Sequence, residues 1–355
     1  MIKQKLRFLY RKFKEAQPKQ MGFPINGSPF DLSPFYKFVV NNLGDPFCGS
    51  AYGLNTLVFE KEVIKFFANL YHLEMKDAWG YVTSGGSEGN LKGLYLARQQ
   101  YNKGVAHFSD RSHYSVFNAA ELINLPFKVI KSNPDHSINI EDLKRKIDFG
   151  KPIILSLNVG TTMKGAIDDI GRIIQMVGNR PMYCHVDAAL SGLILPFING
   201  PKIDFKMPIC SMSVSGHKML GCSIPCGVFL CRKDCLKDAG EPIEYINSSN
   251  NTIFGSRSGL APLAMWCGIK RYGKAGLKRL ANNCMEKANY IRKRLGDTVS
   301  LSPSCNTVVF PCPSSKLINK YHLSVQNGFA HIIVMPHLKK KDLDGFISDM
   351  KMEGF

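Results

Sequence analysis

The 355-residue sequence lacks several features that would each indicate a particular class of protein. No apolar run approaches the roughly 20 residues that a membrane-spanning helix needs, and the N-terminus lacks the apolar core of a secretory signal. There is no internal repeat and no low-complexity linker. We therefore expect a folded, intracellular protein that resides in the cytoplasm.

Cysteine pairs with the C-x-x-C spacing of a typical structural zinc site are also absent. The eleven cysteines are odd in number and are scattered through strand-like segments such as 182–186, which is typical of reduced, buried thiols. Four of them cluster between positions 222 and 235, where core thiols are the favoured interpretation. We expect neither disulfides nor a metal site.

Acidic residues are few, since 28 Asp and Glu accompany 46 Lys and Arg and leave a net charge of +18. A surface of this kind can bind nucleic acid or an anionic membrane. The lysines are spread along the chain, however, with short concentrations only in 3–14 and 339–341, and no nucleic-acid-binding module is present. A solvated basic surface without nucleic-acid or membrane partners is favoured. The alternative interpretation of this charge is a basic nucleic-acid-binding protein.

Short apolar runs alternate with amphipathic stretches of helix length between about residues 79 and 231. Seven predicted strands cover 79–83, 105–108, 127–131, 153–159, 183–187, 209–214 and 227–231. This alternation predicts an α/β protein with a mainly parallel, seven-stranded sheet covered by helices. Ligands of such sheets bind at the carboxyl ends of the strands.

The pattern changes after about residue 247, where long basic helices begin, including one over 264–294. Strands are predicted at 307–311 and 330–335, followed by a final helix from 341, which indicates a smaller α+β domain. We thus predict an N-terminal docking arm over 1–50, a large domain over 51–250 and a small C-terminal domain over 251–355.

Two polar stretches follow predicted strands directly. The turn over 83–90 (TSGGSEGN) precedes a helix, and its backbone amides, with Gly85, Gly86 and the Ser87 hydroxyl, can cradle a phosphate. Asp187 ends another strand and is followed by small residues that leave room for a flat ligand, so that a protonated pyridine nitrogen is a suitable partner. Each feature alone is also explained by capping of the next turn or helix.

Two further stretches complete the pattern. Lys218, in SVSGHK, follows a strand, and a lysine of lowered pKa can form a Schiff base there, while Ser215 and His217 can reach a phosphate. His113 can cover one face of a pyridine ring. Taken singly, a surface lysine or a structural histidine is commoner, but the four stretches together match one cofactor's phosphate, ring nitrogen, ring face and aldehyde.

At these residues the sequence resembles the group II pyridoxal-phosphate amino-acid decarboxylases of fold type I, most closely bacterial histidine decarboxylases and plant serine decarboxylases. The resemblance runs through 22–24, 42–47, 79–83, 213–218 and 330–331. It implies Lys218 as the Schiff-base lysine, Asp187 as partner of the pyridinium nitrogen, and His113 and Ala189 on the two ring faces.

The same resemblance implies a phosphate site and a subunit interface. The implied phosphate contacts are Gly85, Gly86, Ser87, Ser215 and His217. Thr162 matches a contact near the ring hydroxyl. Ser256 matches a position that reaches a phosphate across the interface, which implies a homodimer with a composite active site.

The resemblance leaves the amino-acid substrate open. Residues 54–56, 187–192 and 310–313 are more similar to histidine decarboxylases, whereas 41–47 and 334–336 are more similar to serine decarboxylases. We expect conversion of L-histidine to histamine and carbon dioxide, with Tyr52 and Asn55 near the substrate. L-serine decarboxylation to ethanolamine and another fold type I reaction are the alternatives. Ser258-Gly259-Leu260 stands where the relatives usually carry asparagine, glycine and histidine, and this departure bears on the substrate more than on the cofactor.

Overall fold

The structure is a computed structural model that describes residues 2–27, 29–236 and 240–355. Its strands are β1 (Asn41–Leu43), β2 (Ala78–Thr83), β3 (Val105–Ser109), β4 (Phe127–Ile130), β5 (Ile153–Asn158), β6 (Met182–Asp187), β7 (Ser211–Ser215), β8 (Gly227–Arg232), β9 (Glu241–Ile243), β10 (Ser248–Asn250), β11 (Ser256–Ser258), β12 (Ser300–Leu301), β13 (Thr307–Pro311), β14 (Ser324–Gln326) and β15 (Phe329–Ile333). Its helices are α1 (Ile2–Ala16), α2 (Leu57–Leu70), α3 (Gly86–Gln100), α4 (Tyr114–Leu122), α5 (Ile140–Lys146), α6 (Ile170–Val177), α7 (Gly216–Met219), α8 (Leu260–Leu295), α9 (Ser315–Tyr321) and α10 (Lys340–Met352).

A seven-stranded sheet in the order β2-β8-β7-β6-β5-β3-β4 forms the centre of the molecule. Strand β8 is antiparallel to β2 and β7, whereas the pairs from β7 to β4 are all parallel. Every residue of β5 is buried, as expected for a strand covered on both faces. The predicted mainly parallel seven-stranded sheet is therefore confirmed.

The two faces of this sheet bury separate apolar clusters. Neighbouring residues of β5 divide between them: Leu155 belongs to the cluster that includes Phe67 of α2 and Ile173 of α6, whereas Ile154 belongs to the one that includes Leu94 of α3. Successive side chains of a strand point to opposite faces, so helices on both sides are needed to bury them. Because helices pack on both faces, the start of each helix has a defined position relative to the end of the strand before it.

A second, antiparallel sheet lies towards the C-terminus in the order β12-β13-β15-β14. Its core includes Val308, Ile332 and Phe346 and receives Ile291 from the last part of α8. The first part of α8 instead packs Met265 into the core of the large sheet. The smaller C-terminal α+β domain is confirmed, and the boundary near residue 250 stays a prediction.

The N-terminal segment joins the small domain before it reaches the large one. Met21 is fully buried in the small-domain core, and the backbone N–H of Gly22 donates to the carbonyl of His322 over 3.1 Å. Helix α1 buries none of its residues. Of the helices in the described ranges, none has both the length and the apolarity to cross a bilayer.

Candidate active site

A cavity of about 520 Å³ lies at the carboxyl ends of β2, β5, β6 and β7, within the size range of small-molecule sites. Ten residues predicted from the sequence line it: Gly85, Gly86, Ser87, His113, Thr162, Asp187, Ala189, Ser215, His217 and Lys218. A larger, more open groove at the opposite end of the sheet contains none of the predicted residues. The expectation that ligands bind at the carboxyl ends of the strands therefore identified residues that share this cavity.

Lys218 reaches the cavity because β7 ends at Ser215 and the single turn of α7 follows at once. Burial lowers the pKa of the Lys218 ammonium, and the negative charge of Asp187 opposes part of that shift. A lower pKa increases the fraction of neutral amine, which is the nucleophilic form. The position and the electrostatics of Lys218 suit attack on an aldehyde.

Asp187 ends β6 and is 8% exposed. One carboxylate oxygen accepts a 3.0 Å hydrogen bond from the backbone N–H of Ala189, and the other accepts a 2.8 Å bond from the side-chain amide of Asn90. Two donors stabilise the ionised form of a buried carboxylate. Asp187 therefore presents negative charge to the cavity, where a protonated ring nitrogen can pair with it.

His113 is the N-cap residue of α4, and its Nδ1 lies 2.8 Å from the hydroxyl of Ser115. Burial lowers the pKa of His113; the nearby Asp187 raises it and Lys218 lowers it. The ring is thus neutral at physiological pH. A neutral, flat ring held by a helix N-terminus is suited to stacking on a planar ligand.

The start of α3 and the end of β7 form a concave surface, the phosphate cradle, to which α3 contributes free backbone N–H groups. A Cβ atom on Gly86 would lie 2.9 Å from Cβ of Ala189 and 3.3 Å from Oγ of Ser215, so a side chain there would crowd the cavity wall. The N-terminus of a helix attracts anions through its free N–H groups and its dipole. Ser87 and Ser215 add hydroxyl donors, and the set fits a phosphate group.

Three predicted residues lie away from the cavity of their own chain. The Tyr52 hydroxyl donates to the carbonyl of Val39 over 2.8 Å, and the Asn55 amide donates to the carbonyl of Tyr52. Ser256, in β11, is exposed and accepts a 3.2 Å hydrogen bond from Asn41. The substrate roles of Tyr52 and Asn55 and the phosphate role of Ser256 stay predictions.

Several residues of the cavity were not identified from the sequence as site residues. They include two amide side chains, Asn90 and Asn158, and three aromatic ones, Phe23, Tyr114 and His331. The signal for Asn90 is its place one helical turn after the Gly-Ser turn. The burial of Asn90 could not be predicted from the sequence, because it depends on how closely α3 approaches the sheet.

The residues of the cavity therefore fit pyridoxal phosphate on chemical grounds. An amine of lowered pKa, a buried carboxylate, a flat neutral ring and a phosphate cradle correspond to the aldehyde, the ring nitrogen, the ring face and the phosphate of that cofactor. No other group is needed to explain why these four features share one cavity.

Comparison with known proteins points to the same cofactor. The family described as "Pyridoxal-dependent decarboxylase conserved domain" matches residues 56–310. The chain is 39% identical to a histidine decarboxylase of Solanum lycopersicum, with 96% of this chain and 86% of the relative covered. It is 40% identical to a histidine decarboxylase of Vibrio anguillarum (95% and 91% covered) and 39% identical to serine decarboxylase 3 of Oryza sativa subsp. japonica (93% and 77% covered).

Solved structures agree on the fold. L-methionine decarboxylase from Streptomyces sp. 590 superimposes with a TM-score of 0.92 at 23% identity, covering 98% of this chain and 94% of that one. Glutamate decarboxylase from Lactobacillus brevis gives 0.81 at 18% identity, covering 98% and 90%. The architecture is fold type I, and the chain belongs to the group II pyridoxal-phosphate-dependent amino-acid decarboxylases, which are carboxy-lyases.

Proposed function

We propose that the chain decarboxylates L-histidine to histamine. The observation that carries this choice is the presence of three aromatic side chains, Phe23, Tyr114 and His331, among the residues that line the cavity. Aromatic side chains offer a stacking surface to an imidazole ring, whereas the short side chain of serine has no ring that could stack on them. The sequence of 187–192 and the histidine decarboxylases at 39–40% identity support the same substrate.

Each catalytic residue has a proposed task that follows from its surroundings. Lys218 would hold the cofactor through its aldehyde group until the substrate amine takes that place. Asp187 would pair with the ring nitrogen and keep it protonated, His113 would cover one ring face, and Ala189 would lie against the other. Pyridoxal phosphate, when bound, supplies an electron-accepting ring that stabilises the electron pair left by departing carbon dioxide.

The phosphate contacts and the assembly are proposed together. Gly85, Gly86, Ser87, Ser215 and His217 are proposed to hold the phosphate, and Thr162 to lie near the ring hydroxyl. Tyr52, Asn55 and Ser256 lie outside the cavity of their own chain, as expected if each acts in the active site of the other subunit of a homodimer. The eleven free cysteines support a reducing, cytoplasmic location.

L-serine, giving ethanolamine, is the second candidate. The rice serine decarboxylases 2 and 3 are 40% and 39% identical to this chain, as similar as the histidine decarboxylases. The stretches 41–47 and 334–336 also favour this substrate.

The test is release of product from both amino acids, measured side by side. The protein purified with pyridoxal phosphate is assayed for carbon dioxide and amine with L-histidine and with L-serine, together with Lys218→Ala and the exposed-lysine control Lys202→Ala. We expect histamine from the wild type and from Lys202→Ala, and loss of both the cofactor's visible absorption band and the activity in Lys218→Ala. Ethanolamine as the main product would assign serine instead, and no release from either substrate would refute both assignments.

A further inference from the structure

Helix α3 approaches the central sheet unusually closely, and two glycines make this possible. A Cβ atom on Gly89 would lie 2.1 Å from the Ser213 hydroxyl, and one on Gly93 would lie 2.3 Å from Nδ1 of His185. A helix backbone can come this near to a sheet only where side chains are absent. Asn90, between these glycines in the chain, is 1% exposed and reaches the polar groups of β6.

The side-chain amide of Asn90 donates to two polar groups, one on β6 and one on α4. Its amide nitrogen donates to Asp187 over 2.8 Å and to the Ser115 hydroxyl over 3.0 Å. Ser115 in turn lies 2.8 Å from Nδ1 of His113. One buried amide thus connects the carboxylate at the end of β6 with the ring at the start of α4.

The side-chain oxygen of Asn90, Oδ1, determines which nitrogen of His185 donates and which accepts a hydrogen bond. This oxygen lies 3.0 Å from Nε2 of His185, and an amide oxygen only accepts, so Nε2 of His185 carries a proton. Burial lowers the pKa of His185 to about 4, so the ring is neutral and its Nδ1 accepts from Ser211 over 2.8 Å. Ser211 accepts in turn from the Tyr183 hydroxyl over 3.1 Å.

The same reasoning gives the tautomer of His113. Ser115 accepts a hydrogen bond from Asn90, so its own hydroxyl hydrogen is free to donate to Nδ1 of His113. The Ser115 backbone N–H also points at that nitrogen, over 3.3 Å. With Nδ1 accepting, the single proton of the neutral His113 ring is on Nε2.

We propose that Asn90 is a positioning residue that holds the Asp187 carboxylate and, through Ser115, fixes His113 as the neutral Nε2–H tautomer. This rests on the roles proposed above for Asp187 and His113. The Asp187 carboxylate and the His113 ring therefore cannot change their orientations independently. The same amide positions the charge proposed to face the ring nitrogen and the ring proposed to cover the cofactor.

Asn90→Asp tests this most sharply, because it keeps the shape of the side chain but removes both donors. It also places a second carboxylate against Asp187, and two adjacent carboxylates hold one proton between them. We expect kcat to fall by about tenfold or more, with KM within about threefold, and a new ionisation in the pH profile of kcat. Asn90→Ala should lower kcat similarly without the new ionisation.

Tyr183→Phe is the matched control, because it removes a buried hydroxyl from the far end of the same hydrogen-bond chain. Its kcat should stay within about twofold of the wild type. If the Asn90 variants bind the cofactor fully and keep kcat within about threefold, or if Tyr183→Phe loses as much as they do, the positioning role is refuted.

A measurement on the wild type covers the case in which the Asn90 variants do not fold. With ¹⁵N-labelled histidine, the ring nitrogen shifts distinguish the two neutral tautomers and the imidazolium, and His113→Gln and His185→Gln assign the signals. We expect Nε2–H for both rings, and Nδ1–H or a charged ring at His113 would overturn the proposal. Since this readout needs no turnover, it separates failure of the Asn90 proposal from failure of the substrate assignment.

Discussion

The side-chain amide of Asn90 donates a 2.8 Å hydrogen bond to the carboxylate of Asp187, 97 residues further along the chain. Asn90 lies in the second turn of α3, and the first turn of the same helix carries Gly86 and Ser87 of the phosphate cradle. The hydrogen bond therefore connects the helix that begins at this cradle with the carboxyl end of β6. The start of α3 and the carboxyl end of β6, which both line the cavity, are thereby held together.

Replacing Asp187 by Asn should abolish most catalysis while leaving the fold intact. The oxygen of an amide of the same shape still accepts from Ala189, but its nitrogen then faces the donor amide of Asn90, and it has no charge to keep the ring nitrogen protonated. We expect kcat to fall by about 10²- to 10³-fold, as when a preorganised electrostatic partner is removed. Steady-state kinetics check this, with the exposed Asp344→Asn as a control that should retain wild-type kcat. A kcat near wild type in Asp187→Asn would contradict its proposed role.

Replacing Gly93 by Ala should push α3 away from the sheet, because the added Cβ would lie 2.3 Å from Nδ1 of His185. Gly345, inside α10, is the matched control: its added Cβ meets nothing nearer than 3.8 Å. Gly345→Ala should stabilise the protein by about 0.5–1 kcal/mol, as alanine does in a helix. Gly93→Ala should lower the melting temperature and weaken cofactor binding. Equal melting temperatures for the two variants would show that α3 can move at no cost.

Removing Arg257 should strongly destabilise the protein. Its guanidinium pairs with the fully buried Glu60 and donates to the carbonyl of Gly44 over 2.9 Å. Arg257→Met leaves a buried carboxylate without its counter-charge, which costs about 3–5 kcal/mol. Urea unfolding of the single variant and of Glu60→Gln/Arg257→Met measures this. The double variant should recover part of the loss, and no recovery would show that packing rather than charge dominates.

Lys92 should make stability depend on alkaline pH. It is 4% exposed, with Nζ 5.5 Å from the Trp79 ring centre, and burial lowers its pKa to about 8, while Cys231 and Asp45 oppose the shift. The unfolded chain has a pKa near 10.4, so the charged form destabilises the fold below pH 8 and this loss disappears as pH rises through 8 to about 10.4.

Lys92→Met should therefore be more stable than the wild type at pH 7, by about 1–3 kcal/mol, and the difference should shrink above pH 8. Urea unfolding of both proteins at several pH values measures the difference, with the exposed Lys103→Met as a control expected to change little. A Lys92→Met protein less stable than the wild type at pH 7 would mean that the contacts of the ammonium with the rings of Trp79 and Tyr95 outweigh its burial.

Regular, buried elements were predictable from the sequence. Strand β5 and its neighbours read as apolar runs because both faces of a parallel sheet are covered, and the predicted ends differ from the observed ones by at most two residues. Short strands such as β1 and β11 were not predictable. Three residues contain no periodicity, and Asn41 pairs with Ser258 only because the folded chain brings them together.

The sequence by itself determined which chemical groups end the strands, and therefore that an amine, a carboxylate, a histidine ring and a Gly-Ser turn meet in one cavity. Only the tertiary structure decided which of these groups contact one another. The pairing of Asn90 with Asp187 and His185 depends on the distance between α3 and β6, which the packing of Gly93 against His185 sets. Hydrogen bonds act over about 3 Å, so partners remote in sequence are selected by packing and not by local pattern.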